Sequence, residues 1–271
     1  MSGDAPWDGY RFIFVGGLHR SGTTFTARAI TANPSVSGFE ETGVQEDEGE
    51  HLQSVYPHSW DYGGMGRFAF AEEMHLTESS TLVNERSRRI LWEEWSRLWD
   101  LSRPVLLEKS PPNLLKMRFL QALFPRSGQV LVIRHPVSVV LSSLKWRTSL
   151  GSLFTAHRVI EHWLAANEIA MSDAPWVERL HVLRYEDLIA DAPREMSRVA
   201  DALELEDDFS AVEFDPTREE RNFEDWQRLA GDSTRRAYFR WIERRYEDRI
   251  GRFGYSFRAP ATQRLAVPYS A

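Results

Sequence analysis

Short apolar runs alternate with longer stretches of helical periodicity along most of this chain. The apolar runs predict strands at residues 12–15, 36–42, 104–108, 129–133 and 181–185. Amphipathic stretches predict helices at residues 23–33, 79–100, 113–124, 155–172, 193–203 and 232–253, and a further helix beginning at residue 136. The charged residues 209–231 are predicted to be irregular. Strands that alternate with helices predict an α/β fold with three layers, α/β/α, around a central parallel sheet.

The first predicted strand leads into a glycine-rich loop, GGLHRSGTT at residues 16–24, which we call the phosphate loop. The glycines let the backbone turn tightly, and the unpaired N–H groups at the start of a helix favour a phosphate. Nucleoside triphosphatases have a lysine where this chain has Thr23, so Arg20 would meet the phosphate with a planar guanidinium group instead. Phosphoryl transfer is poorly supported without that lysine. The alternative is a glycine turn that only packs a helix onto the sheet.

Polar side chains stand where the other predicted strands end. Glu40 and Glu41 end the second strand, Lys109 follows the third and Arg134 follows the fourth. Ligands of parallel sheets bind at the carboxyl ends of the strands, so these side chains and Arg20 are expected to share one site. Because side chains alternate along a strand, one of the two glutamates would face the loop as a candidate general base. Two solvated carboxylates are the alternative.

Residues 43–103 interrupt the alternation of strands and helices. We predict one domain, residues 1–271, in which this segment is an insertion or lid beside the site. It begins with an acidic run, residues 46–51, that contains Asp, Glu and His. A metal site is conceivable there, but the spacing matches no metal-ligand template. A solvated acidic face at the start of a helix is therefore the favoured interpretation.

Composition and charge exclude several classes of protein. The chain has no cysteine, which excludes a disulfide framework and a thiolate metal site and permits an intracellular location. It has no secretory pattern at residues 1–10 and no apolar run near the roughly 18 residues of a membrane span, so a soluble protein is expected. The net charge of −7 argues against a general nucleic-acid binder.

Five blocks, taken in order, resemble the sulfotransferases that use 3′-phosphoadenosine 5′-phosphosulfate (PAPS). The blocks are GLHRSGTT at 17–24, EET at 40–42, EKSP at 108–111, RHP at 134–136 with Ser142, and RYEDL at 184–188. The chain is most similar to the tyrosylprotein sulfotransferase branch and its bacterial relatives, in which the loop also has an arginine and a Glu-Glu-Thr follows. The resemblance covers residues 11–45 and 104–190, and it implies a P-loop NTPase-like sulfotransferase fold.

The resemblance implies a role for each matching residue. Arg20 would neutralise charge on the bridging oxygen as it leaves, and Lys109 would stabilise the transition state beside it. Glu41 would take the proton from the acceptor hydroxyl, with Glu40 and His51 as alternatives. The residues implied to bind the cofactor are Arg20, Ser21, Gly22, Thr23 and Thr24 at the 5′ phosphosulfate, Arg134 and Ser142 at the 3′ phosphate, Tyr185 near the nucleotide, and Ser233 in a late closing segment. Lys145 and Arg147 are near enough in the sequence to help hold phosphate, and a solvated helix end is the alternative for them.

The sequence therefore predicts in-line, metal-independent transfer of a sulfuryl group from PAPS to a hydroxyl, with adenosine 3′,5′-bisphosphate (PAP) as product. The expected acceptor is a small molecule, such as an aromatic compound, a sugar or a secondary metabolite. We expect a cytoplasmic enzyme without nucleic-acid or membrane partners, and a homodimer is left open. The alternatives are a P-loop kinase-like phosphotransferase and a non-catalytic nucleotide-binding module.

Overall fold

A parallel sheet of five strands forms the centre of the protein in this computed structural model, which describes residues 5–144, 155–209 and 217–258. The strands are β1 (Arg11–Gly17), β2 (Val36–Ser37), β3 (Val105–Lys109), β4 (Ser127–Ile133) and β5 (Leu180–Arg184). Their order is β2-β3-β1-β4-β5, and every neighbouring pair is parallel. The carboxyl ends of the strands therefore lie along one edge of the sheet, with the end of β1 between those of β3 and β4.

Helices cover both faces of the sheet, which confirms the predicted three-layer fold. They are α1 (Thr23–Thr31), α2 (Glu85–Trp95), α3 (Met117–Leu123), α4 (Pro136–Leu144), α5 (Ala156–Asp173), α6 (Tyr185–Ala190), α7 (Ala192–Leu203), α8 (Thr217–Gly231) and α9 (Arg236–Gly251). Short 3₁₀ turns make up much of residues 45–74. None of the helices in the described ranges is both long and apolar enough to cross a bilayer.

Each face of the sheet buries its own core. Ile13 and Val15 of β1 face α1, α6 and α7. Phe12 and Phe14 face the aromatic side chains of α2 and of the loop after α3. Leu131 of β4 faces α4, α5 and α9. Because successive side chains of a strand point to opposite faces and both faces are covered, each central strand contains a continuous apolar run, at residues 12–15, 105–107 and 130–133.

The predicted second strand is too long. It ends at Ser37 and does not extend to Thr42. Residue Glu41 has a left-handed backbone, with φ of 52°, which is incompatible with an extended strand. The strand lies at the edge of the sheet and pairs only with β3, so few hydrogen bonds hold it there. The two glutamates therefore stand in a turn beyond the sheet.

Two further predictions, one of a helix and one of an irregular segment, also differ from the structure. The helix predicted from residue 79 begins at Glu85, because the side chain of Asn84 accepts a hydrogen bond of 2.9 Å from the N–H of Ser87 and caps it. It ends at Trp95, whose ring lies in the aromatic core. The irregular structure predicted for residues 209–231 is wrong for α8, where the buried Trp226 packs against the main core.

Candidate functional site

The loop after β1 has the geometry of an anion-binding loop. Gly22 precedes α1 with a left-handed φ of 101°, and a Cβ atom there would lie 2.2 Å from the ring of Tyr185. Only glycine satisfies both constraints. The hydroxyl of the buried Ser21 donates a hydrogen bond of 2.6 Å to the carbonyl of Leu18, which closes the loop. The first N–H groups of α1 are thereby directed at the space above the loop.

Arg20 and Arg134 lie at neighbouring strand ends. Arg20 has a left-handed φ of 70°, and its carbonyl oxygen accepts a hydrogen bond of 2.7 Å from Nη1 of Arg134. Arg134 follows β4, which pairs with β1 along almost its full length. The phosphate loop and the end of β4 therefore form one continuous surface.

Arg134 is already paired with a carboxylate. Its guanidinium group is 3% exposed and forms a salt bridge with Glu219 of α8. The hydroxyl of Ser138 donates a hydrogen bond of 2.5 Å to the same carboxylate. The ring of Tyr185 lies 4.3 Å from the guanidinium carbon. The arginine that the sequence predicts at the 3′ phosphate is thus already paired with a carboxylate of the chain.

Lys109 lies on the other side of β1, at the end of β3. Its ammonium group donates hydrogen bonds of 2.7 Å to the backbone carbonyl of Glu46 and 3.3 Å to the carboxylate of Glu48. Burial raises the pKa of Glu48 to about 7, although the charge of Lys109 acts in the opposite direction. Glu48 is therefore an ionisable group beside the loop and next to Lys109, and sequence reasoning did not assign it to the site.

The interpretation of residues 46–51 as a solvated face is wrong for Glu48 and Glu50, which are 4% and 0% exposed. The carboxylate of Glu50 accepts hydrogen bonds of 2.7 and 3.0 Å from the hydroxyl and the N–H of Ser59. A 3₁₀ turn at Gly49–Leu52 directs these side chains inward. Glu48, Glu50 and His51 each place one ligand atom within 4.8 Å of the others, so they are the described group that could hold a metal ion.

Glu40 and Glu41 are both exposed to solvent. They stand on the wall of a cavity of about 470 Å³ between α1 and the end of β3, which Thr24 and Lys109 also line. The turn that follows them is fixed by Asp47, whose carboxylate accepts hydrogen bonds from the N–H and the hydroxyl of Thr42 at 2.8 and 2.6 Å. Glu41 therefore shares a cavity with Lys109 but is not buried beside it.

A separate cavity of about 330 Å³ lies above the phosphate loop, and we call it the nucleotide cavity. The predicted cofactor residues that line it are Arg20, Gly22, Thr23, Thr24, Arg134, Ser142 and Tyr185. Glu48 lines it as well. Ser21 lies behind the loop, and Ser233 lies in an exposed turn before α9 and does not line this cavity. Lys145 and Arg147 lie outside the described residues.

Sequence comparison identifies relatives of this chain. A sequence model of the sulfotransferase family matches residues 13–209. Protein-tyrosine sulfotransferase A of Caenorhabditis elegans is 25% identical over 209 residues, which are 73% of this chain and 52% of that protein. The chain thus spans about half the length of this curated relative.

Structure comparison identifies similar folds. A sulfotransferase from Alicyclobacillus acidocaldarius matches with a TM-score of 0.50 and 14% identity, over 89% of this chain and 96% of the other. A sulfotransferase from Mycobacterium tuberculosis matches with a TM-score of 0.48 and 17% identity, over 74% of this chain and 72% of the other. The first of these likenesses supports the predicted fold, a P-loop-like parallel sheet with helices on both faces.

Proposed function

Because the chain belongs to the sulfotransferase family, we propose that it transfers a sulfuryl group from PAPS to a hydroxyl of a small molecule. The observation that supports this most strongly is the hydrogen bond of 2.7 Å between Arg134 and the carbonyl of Arg20. It ties the guanidinium group of Arg134 to the backbone of Arg20 at the adjacent strand end, and PAPS carries anionic groups at two separate positions. Such a ligand suits one surface with two cationic positions.

In the proposed reaction the acceptor oxygen attacks the sulfur in line with the bridging oxygen. The new S–O bond forms as the old one breaks, and PAP leaves with the bridging oxygen on its 5′ phosphate. Arg20 and Lys109 stabilise the negative charge that grows on this oxygen, which is the electrostatic contribution that such reactions depend on most. The N–H groups at the start of α1 hold the phosphosulfate. No step of this scheme uses a metal ion.

We propose that Glu41 is the general base that removes the proton from the acceptor hydroxyl. This carboxylate lines the same cavity as Lys109 and Thr24, and its exposure leaves it accessible to an incoming acceptor. A placed base typically contributes about 10² to 10⁴ in rate. Glu40 and His51 are the alternative bases, so Glu40→Gln and His51→Ala serve as comparisons for Glu41→Gln.

We assign the 3′ phosphate of the nucleotide to Arg134 and Ser142. Ser142 is buried on α4, the helix that begins directly after Arg134 and His135, and it lines the nucleotide cavity with Arg134. The carboxylate of Glu219 already holds one nitrogen of Arg134, so a phosphate that binds there meets a second anion, and the repulsion between the two weakens binding while Glu219 stays in place.

A protein acceptor is the second candidate. It is favoured by the 25% identity to a protein-tyrosine sulfotransferase over 209 residues. The two candidates differ in the acceptor alone, so binding of the donor does not separate them. Transfer of labelled sulfate to free hydroxyl compounds and to tyrosine peptides, measured side by side, does.

Isothermal titration calorimetry with PAP, and separately with ATP and Mg²⁺, tests the proposed donor. We expect PAP to bind and the Arg20→Ala variant to bind it much more weakly. We also expect Glu41→Gln to retain PAP binding while transfer from labelled PAPS falls by about 10² to 10⁴. Binding of ATP with Mg²⁺ in place of PAP would overturn the proposal in favour of a phosphotransferase.

A further inference from the structure

We propose that a second cavity, which begins at Leu18 and His19 and extends along α5, binds the acceptor, and that this acceptor is a small phenol with a negatively charged substituent. We call it the α5 cavity; its volume is about 320 Å³. This inference rests on the proposed sulfotransferase function, and it specifies the acceptor that the proposed function leaves general.

The position of the α5 cavity suits an acceptor. His19 lines both this cavity and the nucleotide cavity. A molecule in the α5 cavity would therefore lie next to a sulfuryl group held by Arg20, the residue that follows His19. Its hydroxyl must point into the nucleotide cavity, because Glu41, the proposed base, lines a third cavity that shares Thr24 with the nucleotide cavity but no residue with the α5 cavity. In-line transfer requires the acceptor oxygen to lie about 3 Å from the sulfur, on the side opposite the bridging oxygen that leaves. Two cavities that meet at one loop residue provide that arrangement.

His19 offers the acceptor a polar contact that the chain itself does not use. Its Nδ1 atom is buried and has no hydrogen-bond partner among the residues that the structure describes. A buried polar atom without a partner destabilises the folded protein, so its retention at a cavity points to a ligand group. Burial, together with the nearby His162, lowers the pKa of His19 to about 3, and the neutral ring can bond to a hydroxyl without carrying charge.

The walls of the α5 cavity are fixed in place and largely aromatic or apolar on one side. Nε2 of His162 accepts a hydrogen bond of 3.2 Å from the N–H of Ala69, which ties the turn at Phe68–Phe70 to α5. The ring of Phe68 packs between His162 and His19 at centroid distances of 4.7 and 5.7 Å. Phe70 remains 56% exposed on the wall. An exposed ring beside a preformed cavity favours an aromatic ligand.

The charges on the rim of the α5 cavity favour an anion. Arg67 and Arg158 are exposed there, and neither forms a salt bridge with another described residue. The one carboxylate in the described lining is that of Glu161, which accepts a hydrogen bond of 2.8 Å from the hydroxyl of Tyr246. The protein as a whole has a net charge of −7, so these two cations without salt bridges make the rim of the cavity locally positive. A positive rim would attract an acidic substituent.

The first test compares two phenols of similar size and opposite charge, 4-hydroxyphenylacetate and tyramine. Transfer from labelled PAPS is measured for each, and we expect kcat/KM to be about tenfold or more higher for the anion, equivalent to about 1.4 kcal/mol. Arg67→Ala and Arg158→Ala should each reduce this preference about threefold or more. Arg86→Ala, which removes an exposed cation from α2, is the matched control and should leave it unchanged. Equal rates for the two phenols would overturn the proposal.

The second test addresses His19 and Phe70. We expect His19→Ala to lower kcat/KM for both phenols by about 10-fold or more, while the Kd of PAP stays within about threefold. Phe70→Ala changes an exposed side chain, so it should fold and should raise the KM of both phenols. An unchanged KM in Phe70→Ala would contradict the assignment even if His19→Ala does not fold.

The outcomes separate this inference from the function it rests on. If the wild-type protein does not bind PAP, the proposed function itself fails. If it binds PAP and sulfates only a peptide such as Glu-Tyr-Glu, or neither phenol at all, the assignment of a small anionic phenol fails alone. Transfer to 4-hydroxyphenylacetate that depends on Arg67, Arg158 and His19 supports both.

Discussion

Lys109 and Arg134 stand on opposite sides of the phosphate loop, and each meets a buried carboxylate in a different way. Lys109 divides its hydrogen bonds between a backbone carbonyl and Glu48, at 2.7 and 3.3 Å. Arg134 directs one nitrogen to the carbonyl of Arg20 and another to Glu219, whose carboxylate is also held by Ser138. The contact between Lys109 and Glu48 is long, whereas the carboxylate of Glu219 is held by Arg134 and Ser138 together.

This difference separates the two ends of the proposed donor site. Glu48 can lose its charge near neutral pH, because burial raises its pKa to about 7. Lys109 keeps a backbone partner in either state and remains available at the reacting centre. Arg134 holds the carboxylate of Glu219, which would compete with the proposed 3′ phosphate for the same guanidinium group. In the proposed donor site, the cation at the 5′ end therefore has a carboxylate neighbour that can become neutral, whereas the cation at the 3′ end is paired with a carboxylate that would compete with the phosphate.

The largest effect is expected for Lys109→Ala. We predict a loss of about 10² to 10³ in kcat, because an electrostatic contact to the leaving oxygen acts mainly in the transition state. The Kd of PAP should change little. Single-turnover transfer and calorimetry measure the two quantities. A variant that loses PAP affinity as strongly as it loses kcat would show that Lys109 is a binding residue, which would remove the contrast with Arg134.

Arg134→Ala should weaken PAP binding, whereas Lys109→Ala should mainly lower kcat. We predict a Kd for PAP about 10- to 100-fold higher, because charge-assisted hydrogen bonds contribute about 1.5–3 kcal/mol each. We also predict that the free energy of unfolding falls by about 3–5 kcal/mol, since Glu219 would remain buried without its cation.

The double variant with Arg134→Ala and Glu219→Gln is the control for Arg134→Ala, and denaturant unfolding measures both. Removing the buried charge should restore part of the stability but none of the PAP affinity. Restored affinity in the double variant would contradict the assignment of the 3′ phosphate to Arg134.

Glu48→Gln should change how stability depends on pH. The pKa of Glu48 is raised from 4.5 to about 7, so between these values the folded protein holds a proton that the unfolded chain has released. The free energy of unfolding of the wild type therefore falls as pH rises through this range. Glutamine cannot ionise, so the variant should gain about 1–3 kcal/mol relative to the wild type between pH 4.5 and 8.

Urea unfolding at pH 4.5 and pH 8 measures this gain, and Glu46→Gln is the matched control. Glu46 is exposed and lines the same nucleotide cavity, so its substitution should leave the pH dependence unchanged. A gain for Glu48→Gln that is constant with pH would mean that this carboxyl is ionised throughout the range. The ion pair of Lys109 with Glu48 would then be as permanent as that of Arg134 with Glu219.

The smallest effect is expected for Glu219→Gln. A neutral side chain competes less with a phosphate for Arg134, so we predict a Kd for PAP about 3- to 10-fold lower than in the wild type. Glu220→Gln is the matched control, because Glu220 is the exposed neighbour of Glu219. Calorimetry that finds weaker PAP binding in Glu219→Gln would show that Glu219 supports the site instead of occupying it.

The parts of the fold that the sequence predicted are those buried on both faces of the sheet. The cores of β1, β3 and β4 are continuous apolar runs, the pattern expected of parallel strands that are covered on both faces. The edge strand β2 was predicted too long because nothing in its sequence marks where pairing to β3 stops. Helix α8 was missed because its charged residues dominate its composition, while its apolar side is recognisable only against the core that buries Trp226.

The same division applies to the candidate site. The phosphate loop could be predicted because its glycines, its arginine and the start of α1 are consecutive in the chain. The carboxylates that meet the two cations could not, because Glu48 lies 61 residues from Lys109 and Glu219 lies 85 residues from Arg134. Glu48 belongs to an acidic run that is typical of a solvated surface. Glu219 lies in a charged segment in which no local pattern distinguishes it from its neighbours.

The sequence by itself determined which chemical groups stand at the strand ends, since local backbone geometry and short apolar runs place them there. Only the tertiary structure decided which anions face those cations, which of the carboxylates are buried, and where a cavity opens beside the loop. Charge interactions depend on distance and on exclusion of water. Both arise when segments distant in the chain pack together, so no local pattern records them.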